Sequence, residues 1–277
     1  MLTITILTEN LVRKRGLLAE HGLSLWVEAD DDRVLFDTGS TDVYVHNAKA
    51  LGIDLTQTQA IVISHGHYDH GGGLAFFPKE VRWPRVYIHP DAFLPKFTRA
   101  KHLDEPHQAG GFPWKLEDLP HLEQRLVLNK STVQVSERLF LCAEIPQTVD
   151  FETPSTDFLV EKNELLLPDN MHDEQVMVCR QPQGLVVFLG CSHPGVINSL
   201  KFVELFFPDE PIHAVIGGMH LERATPQRLQ WTLDYFKALD IKQIIPLHCT
   251  GQEVIWQMKK ALGDRVLIRR TGEEIKI

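Results

Sequence analysis

Six consecutive residues, His65-Gly66-His67-Tyr68-Asp69-His70, hold three imidazoles and a carboxylate, directly after the apolar run Ala60-Ile61-Val62-Ile63 and before Gly71-Gly72-Gly73. The apolar run reads as a buried strand. The glycines within and after the cluster let that strand break into a tight loop whose side chains converge. Neutral imidazole and carboxylate are ligands of first-row transition metals, and packing alone has little use for so many of them in one loop. The loop is therefore expected to be a metal site; the plainer alternative is a histidine-rich surface turn.

Around this loop the hydrophobic pattern is mixed. Residues 1–8 read as a strand, and residues 24–37 as a hairpin turning through Asp30-Asp31-Asp32. A helix is expected over 42–51, stopped by Gly52, and a strand over 60–64. Leu74-Ala75-Phe76-Phe77 fits the first turns of a helix whose N-terminus faces the loop. From about 90 to 125 the periodicity dissolves among Pro95, Pro106, Pro113, Pro120 and Gly110-Gly111, which reads as an insertion or lid over the site, or else as loop-rich surface elaboration. His102, His107 and His121 within it are expected in solvent. Strands follow at 131–142, 158–160, 175–179 and 185–189, with a turn at Gln181-Pro182-Gln183-Gly184. The last ninety or so residues alternate helix (196–207, 226–239, 252–262) with strand (213–216, 243–245) and end in a hairpin of 266–268 with 274–277. Thr225-Pro226 supplies an N-cap and a first-turn proline for the second of those helices.

At 277 residues and 43% hydrophobic the chain can bury a large core, and without repeats or a flexible linker 1–277 is expected to be one domain. A net charge of −9 argues against an electrostatic nucleic-acid binder. Cys142, Cys179, Cys191 and Cys249 form no Cys-x-x-Cys pair and suit a reducing compartment. The start lacks a basic region before a long apolar one, and no apolar run approaches the ~20 residues of a membrane span. A cytoplasmic location, no membrane partner and a small-molecule substrate are the expectations; the sequence leaves the oligomeric state open.

His-x-His-x-Asp-His after a strand resembles the signature of the metallo-β-lactamase superfamily. Further segments share the resemblance: Arg33-Val34-Leu35-Phe36-Asp37-Thr38-Gly39, Gly190-Cys191-Ser192-His193 and Pro246-Leu247-His248-Cys249-Thr250-Gly251. With Glu20-His21-Gly22-Leu23-Ser24 and Gly217-Gly218-Met219-His220-Leu221, nearly the whole chain is similar to the 7,8-dihydropterin-6-yl-methyl-4-(β-D-ribofuranosyl)aminobenzene 5'-phosphate synthase group. The resemblance implies an α+β fold, an αββα four-layer sandwich, with one or two metal ions at one edge between the sheets. Zinc is the implied metal, with manganese or iron as alternatives.

The resemblance also implies roles. His65, His67 and His193 would serve one ion, and Asp69, His70 and His248 a second about 3.5–4 Å away, as in two-metal hydrolases. Asp69 would also be catalytic, orienting a water. Cys191 falls where many members of the superfamily place a metal-bridging aspartate; thiolate ligand, support behind a ligand and small buried side chain all stay open. Asp37 is expected to orient a ligating histidine. His172 or Asp173 would ligate or support a ligand, with a solvated acidic turn as the alternative. His220, Glu20 and His21 are candidates to face substrate. The implied activity is metal-dependent hydrolysis of a small ester, lactone or phosphoester. A pterin/arylamine ribose-phosphate synthase and a non-catalytic metal-binding or sensing module are the alternatives.

Overall fold

The computed structural model describes residues 1–79, 82–102 and 104–277; Leu103, inside the expected 90–125 insertion, lies outside them. In chain order the strands are β1 (Leu2–Thr8), β2 (Ser24–Ala29), β3 (Asp32–Phe36), β4 (Ala60–Val62), β5 (Arg85–Ile88), β6 (Lys96–Thr98), β7 (Gln108–Ala109), β8 (Leu126–Leu128) and β9 (Val133–Gln134). They continue with β10 (Leu139–Ala143), β11 (Phe158–Lys162), β12 (Leu165–Pro168), β13 (Gln175–Gln181), β14 (Gly184–Leu189), β15 (Ile212–Gly218), β16 (Gln243–Leu247) and β17 (Glu274–Lys276). The α-helices are α1 (Val43–Leu51), α2 (Tyr68–Gly71), α3 (Pro120–Glu123), α4 (Val196–Phe206), α5 (Pro226–Ala238) and α6 (Gln252–Leu262).

Among the described residues two large sheets run β17-β1-β2-β3-β4-β5-β8 and β16-β15-β14-β13-β10-β9. Period-two alternation sorts each strand's side chains between two cores. In β14, Val186 and Phe188 enter the core between the sheets, whereas Leu185, Val187 and Leu189 meet α4, α5 and α6 on the outside. Likewise Val34 and Phe36 of β3 face inward, while Leu35 joins Tyr44 and Ala48 of α1. Both faces of each sheet are thus covered, and the layers stack helix, sheet, sheet, helix. The αββα sandwich implied by the family resemblance is the architecture found.

Local chemistry fixes the helix ends. Gly52 closes α1 at φ 75, the left-handed conformation that glycine adopts without penalty. Thr225 caps α5 through its side chain, which accepts from the Arg228 amide, with Pro226 in the first turn. Strands β3, β4, β5 and β8 are parallel, as are β14, β15 and β16, so their C-terminal ends share one rim of the sandwich.

Several expectations need correction. The 90–125 insertion is more than loop-rich surface elaboration: its β6 and β7 join β11 and β12 in a third, four-stranded sheet. The strand expected over 131–142 is split, because β9 and β10 are separate antiparallel partners. No terminal hairpin forms. Leu267 donates to the Ile244 carbonyl instead, and β17 pairs antiparallel with β1. Within the His65–His70 loop the helical backbone starts at Tyr68, and it continues as a short 3-10 turn over Gly72–Phe76, not as a longer helix from Leu74.

Phe188 is fully buried between the two sheets. Truncating it leaves a cavity that both sheets line, so Phe188→Ala should cost about 3–5 kcal/mol in urea unfolding. A loss below about 1 kcal/mol would mean that the sheets are not packed against each other there.

Candidate metal centre

Five loops meet at the shared rim: Asp37 follows β3, the His65–His70 segment follows β4, Cys191–His193 follow β14, His220 follows β15 and His248 follows β16. Four of these residues hold left-handed backbone: Asp37 (φ 57), Ser192 (φ 59), His220 (φ 46) and His248 (φ 51). Each such non-glycine residue costs roughly 1–2 kcal/mol, and their gathering at one rim is typical of backbone bent to aim side chains.

Asp37 organises the loop after β4. Its Oδ1 accepts from the Ser64 amide at 2.6 Å, and its Oδ2 accepts from Ser64 Oγ at 2.8 Å. That same Oδ2 lies 2.6 Å from His70 Nδ1, which leaves Nε2 as the atom His70 presents to the rim. Gly66 serves close approach: a Cβ there would lie 2.4 Å from the Ala92 carbonyl oxygen and 2.8 Å from Lys96 Cε. Gly190 is alike, since a Cβ would fall 2.1 Å from Ser64 Oγ.

Two groups of donors converge. In the first, His65 Nε2 is 3.0 Å and His193 Nε2 is 3.1 Å from His67 Nδ1. One ring nitrogen carries either one proton or one lone pair, so His67 Nδ1 cannot satisfy both neighbours by hydrogen bonding. Burial, reinforced by the surrounding positive groups, drives His65 and His193 well below the usual imidazole range and His67 down to about 4. Three neutral imidazoles with crowded nitrogens are a donor set that a cation would satisfy. Tetrahedral ligands about 2.0–2.1 Å from zinc stand roughly 3.3 Å apart. The spacing fits.

In the second group, Asp69 Oδ2 is 3.2 Å from His248 Nε2 and 3.9 Å from His70 Nε2, and the two imidazole nitrogens are 3.3 Å apart. Cys191 Sγ lies 3.1 Å from His70 Nε2, and burial pushes its thiol well up. For His70 burial is outweighed by the Asp37 and Asp69 carboxylates, which raise it to about 9. Burial would also raise Asp69, but His70, His21 and His248 hold it well below the usual carboxylate range. The donor sets His65/His67/His193 and His65/His70/Cys191 each lie close enough to hold an ion.

The other expected residues divide. His21, on a half-exposed loop, has Nε2 3.2 Å from Asp69 Oδ2 and lines the cleft. The His220 ring lies tilted against His193, centroids 4.5 Å apart, and its Nδ1 is buried without a partner. Glu20 does not line the cleft; its carboxylate takes the Ser40 amide at 3.0 Å and the Thr41 hydroxyl at 2.7 Å, tying down the loop after β3. His172 is exposed and belongs to none of the donor groups, whereas Asp173 is buried and accepts from the Gly66 amide at 2.7 Å.

Three supporting side chains were not among the site residues expected from the sequence. Lys96 of β6 is buried between Asp169 Oδ2 at 2.6 Å and Asp173 Oδ1 at 3.0 Å, directly beneath Gly66. Glu174 accepts from the amides of Cys191, Ser192 and His193, gathering the loop after β14. Glu9 receives the Leu11 amide and a backbone bond from His248. An acidic pair directly before β13 was the only hint of Glu174. Above the rim opens a cleft of about 520 Å³, walled on one side by Thr98, Gly110 and Phe158 of the third sheet and its connections.

The sequence model described as the metallo-beta-lactamase superfamily matches residues 18–192. A protein of Methanocaldococcus jannaschii named 7,8-dihydropterin-6-methyl-4-(beta-D-ribofuranosyl)-aminobenzene-5'-phosphate synthase is 31% identical over 248 residues, which is 84% of this chain and 82% of that protein. A crystal structure of a metal-dependent hydrolase of the β-lactamase superfamily matches with TM-score 0.87 at 31% identity, over 100% of this chain and 99% of the other. Zn(2+)-bound PqqB from Methylobacterium extorquens shares the fold at TM-score 0.60 and 12% identity, over 99% and 100% of the two chains.

Burial raises Glu9 to about 7. A carboxyl whose folded value lies above its unfolded value of 4.5 stabilises the fold when protonated. That contribution is complete below pH 4.5 and is lost as pH rises through about 7. Relative to wild type, Glu9→Gln should therefore gain up to about 3 kcal/mol between pH 4.5 and 8. Parallel stability profiles for the two proteins in urea would show that Glu9 ionises normally.

Proposed function

The chain belongs to the metallo-β-lactamase superfamily, and from that premise we propose that it is a binuclear, zinc-dependent hydrolase of a small ester, lactone or phosphoester. The observation that carries the reading is the convergence of six side chains from three rim loops into two adjoining donor groups. His65 Nε2, His67 Nδ1 and His193 Nε2 would hold one ion. Asp69, His70 and His248 would hold the other, with Cys191 Sγ placed to join them through its position beside His70. When bound, such ions polarise a substrate oxygen and lower the pKa of a coordinated water toward ~7.

The chain's own groups then have distinct tasks. Asp69 would orient the attacking water and take its proton, with His21 beside Oδ2 fixing the carboxylate from the solvent side. Asp37 and Ser64 hold His70 and His65 in register, because both rings lean on the same hydroxyl. Asp173, itself held by Lys96, accepts from the Gly66 amide and so fixes the spacing of the two histidines around it. Burial of the donors excludes bulk water from all but the cleft side.

A second reading draws on the synthase similarity: the same centre would promote condensation of a pterin with an arylamine ribose phosphate. A panel of phosphodiester, lactone and thioester substrates separates the two. Turnover that stops on chelation supports hydrolysis, and a blank panel with metal bound favours the synthase or a non-catalytic metal-binding module.

Protein purified without added metal should carry about one to two equivalents by elemental analysis, and less than a tenth of an equivalent with no stabilisation on reconstitution would sink the proposal. His193→Ala should empty chiefly the first position and His248→Ala the second, each leaving the fold intact. Cys191→Ala should lower occupancy of the second position if the thiolate is a donor. If instead Asp173→Ala loses metal while His193→Ala keeps all of it, the assignment of His193 is wrong.

A further inference from the structure

Beyond His220 the cleft contains a guanidinium without a counter-ion. Arg228, in the first turn of α5, lines the cleft, and its Nε is buried without a hydrogen-bond partner. Among the described residues no carboxylate lies within 4.0 Å of it. Burial pulls its pKa down from the ordinary arginine value, the direction expected of a cation removed from water without compensation. Glu152 offers support only at longer range, and its oxygens are taken by the Ile197 amide at 3.1 Å and the Asn198 amide at 2.8 Å.

Keeping an arginine half out of water with no partner is unfavourable. The cleft is not a general basic funnel, because Asp69, Asp157 and Glu222 also line it and the chain carries a net charge of −9. Among the described lining residues the arginine and lysine side chains are Arg228 and the exposed Arg223, five residues earlier. Thr153 and Ser155 also line this cleft. A planar guanidinium with free donors matches the paired oxygens of a phosphate or carboxylate better than any neutral group.

We propose that Arg228, assisted by Arg223, is an anion subsite that grips a phosphate monoester or carboxylate of the substrate while the bond to be changed lies over the donor groups. The second half of this statement rests on the metal-centre reading; the first does not. The substrate is thus an anion recognised at two points, by the rim and by a guanidinium set apart from it.

The test uses the full chain as purified, with phenyl phosphate and benzoate as probes in calorimetric titrations, before and after chelator, with metal content measured on every sample. Arg228→Gln should weaken binding of at least one probe tenfold or more at unchanged metal content. Arg228→Lys, a point charge without the fork, should recover only part of the loss. Whichever probe responds names the group as phosphate or carboxylate. The proposal is overturned if both probes bind Arg228→Gln within twofold of wild type, or if binding to wild type disappears with chelator, which would put the anion on the ions alone. Absence of metal from wild type, with probe binding that still depends on Arg228, would remove the metal-centre reading and leave the anion subsite standing. Thermal unfolding of both variants in parallel guards against misfolding, and Arg223→Gln gives a second variant that should weaken the same probe by a smaller factor.

Discussion

The carboxylate of Asp37 is the interaction on which the rim depends. It closes β3 in a left-handed turn, receives the Ser64 amide and hydroxyl, and takes the Nδ1 face of His70. One buried group therefore joins the ends of two neighbouring strands and determines which nitrogen of a rim histidine points outward. Its own charge is answered by hydrogen bonds and not by an arginine or lysine, which keeps the other positive groups available for different work. Lose that carboxylate and the loop after β4 has neither its first bend nor the orientation of its last histidine.

Around this point the molecule balances buried charges in separate cells. Lys96 sits between Asp169 and Asp173, while Glu174 is satisfied by three consecutive amides from the loop after β14. The 90–125 segment thus contributes a cation to the floor of the site as well as a wall to its mouth. Phe158 of β11 completes the link, with its ring 5.1 Å from His67 and 4.9 Å from His193. Burying so much ionic character carries a desolvation cost, which only good geometry and full hydrogen bonding offset.

Much of this was legible in the sequence. The His65–His70 loop, most strands of the two large sheets and the helices after β14 follow from period and from glycine and proline positions, because those patterns are imposed by burial on one face. What stayed hidden was of another kind. Strands β5, β6, β7, β8 and β12 are two to four residues long, too short to show a period, and β12 is exposed along its whole length. Lys96, Glu174 and Glu9 are buried charges, and a buried charge looks in sequence like any surface lysine or glutamate. Glu20 was placed near the right loop and given the wrong task, since its position beside His21 could not reveal that it reaches back to Ser40 and Thr41. Gly66 adds a reason that the sequence did not carry: beyond letting the strand break into a tight loop, it leaves space for the Ala92 backbone.

The pairing of β17 with β1 carries a consequence in time. Leu2 and Ile277 exchange backbone hydrogen bonds at 3.1 and 3.0 Å, and Gly272 donates to Ile6. During synthesis the first strand emerges long before the partner that covers its outer side, and His248 appears only after all five other donors of the two groups. A ribosome adding about 5–20 residues each second leaves that edge bare for many seconds. The nascent chain must therefore shelter an unpaired strand and an unfinished cluster of imidazoles until β16 and β17 have emerged, so the rim is completed late, in a sequence written into the order of the strands.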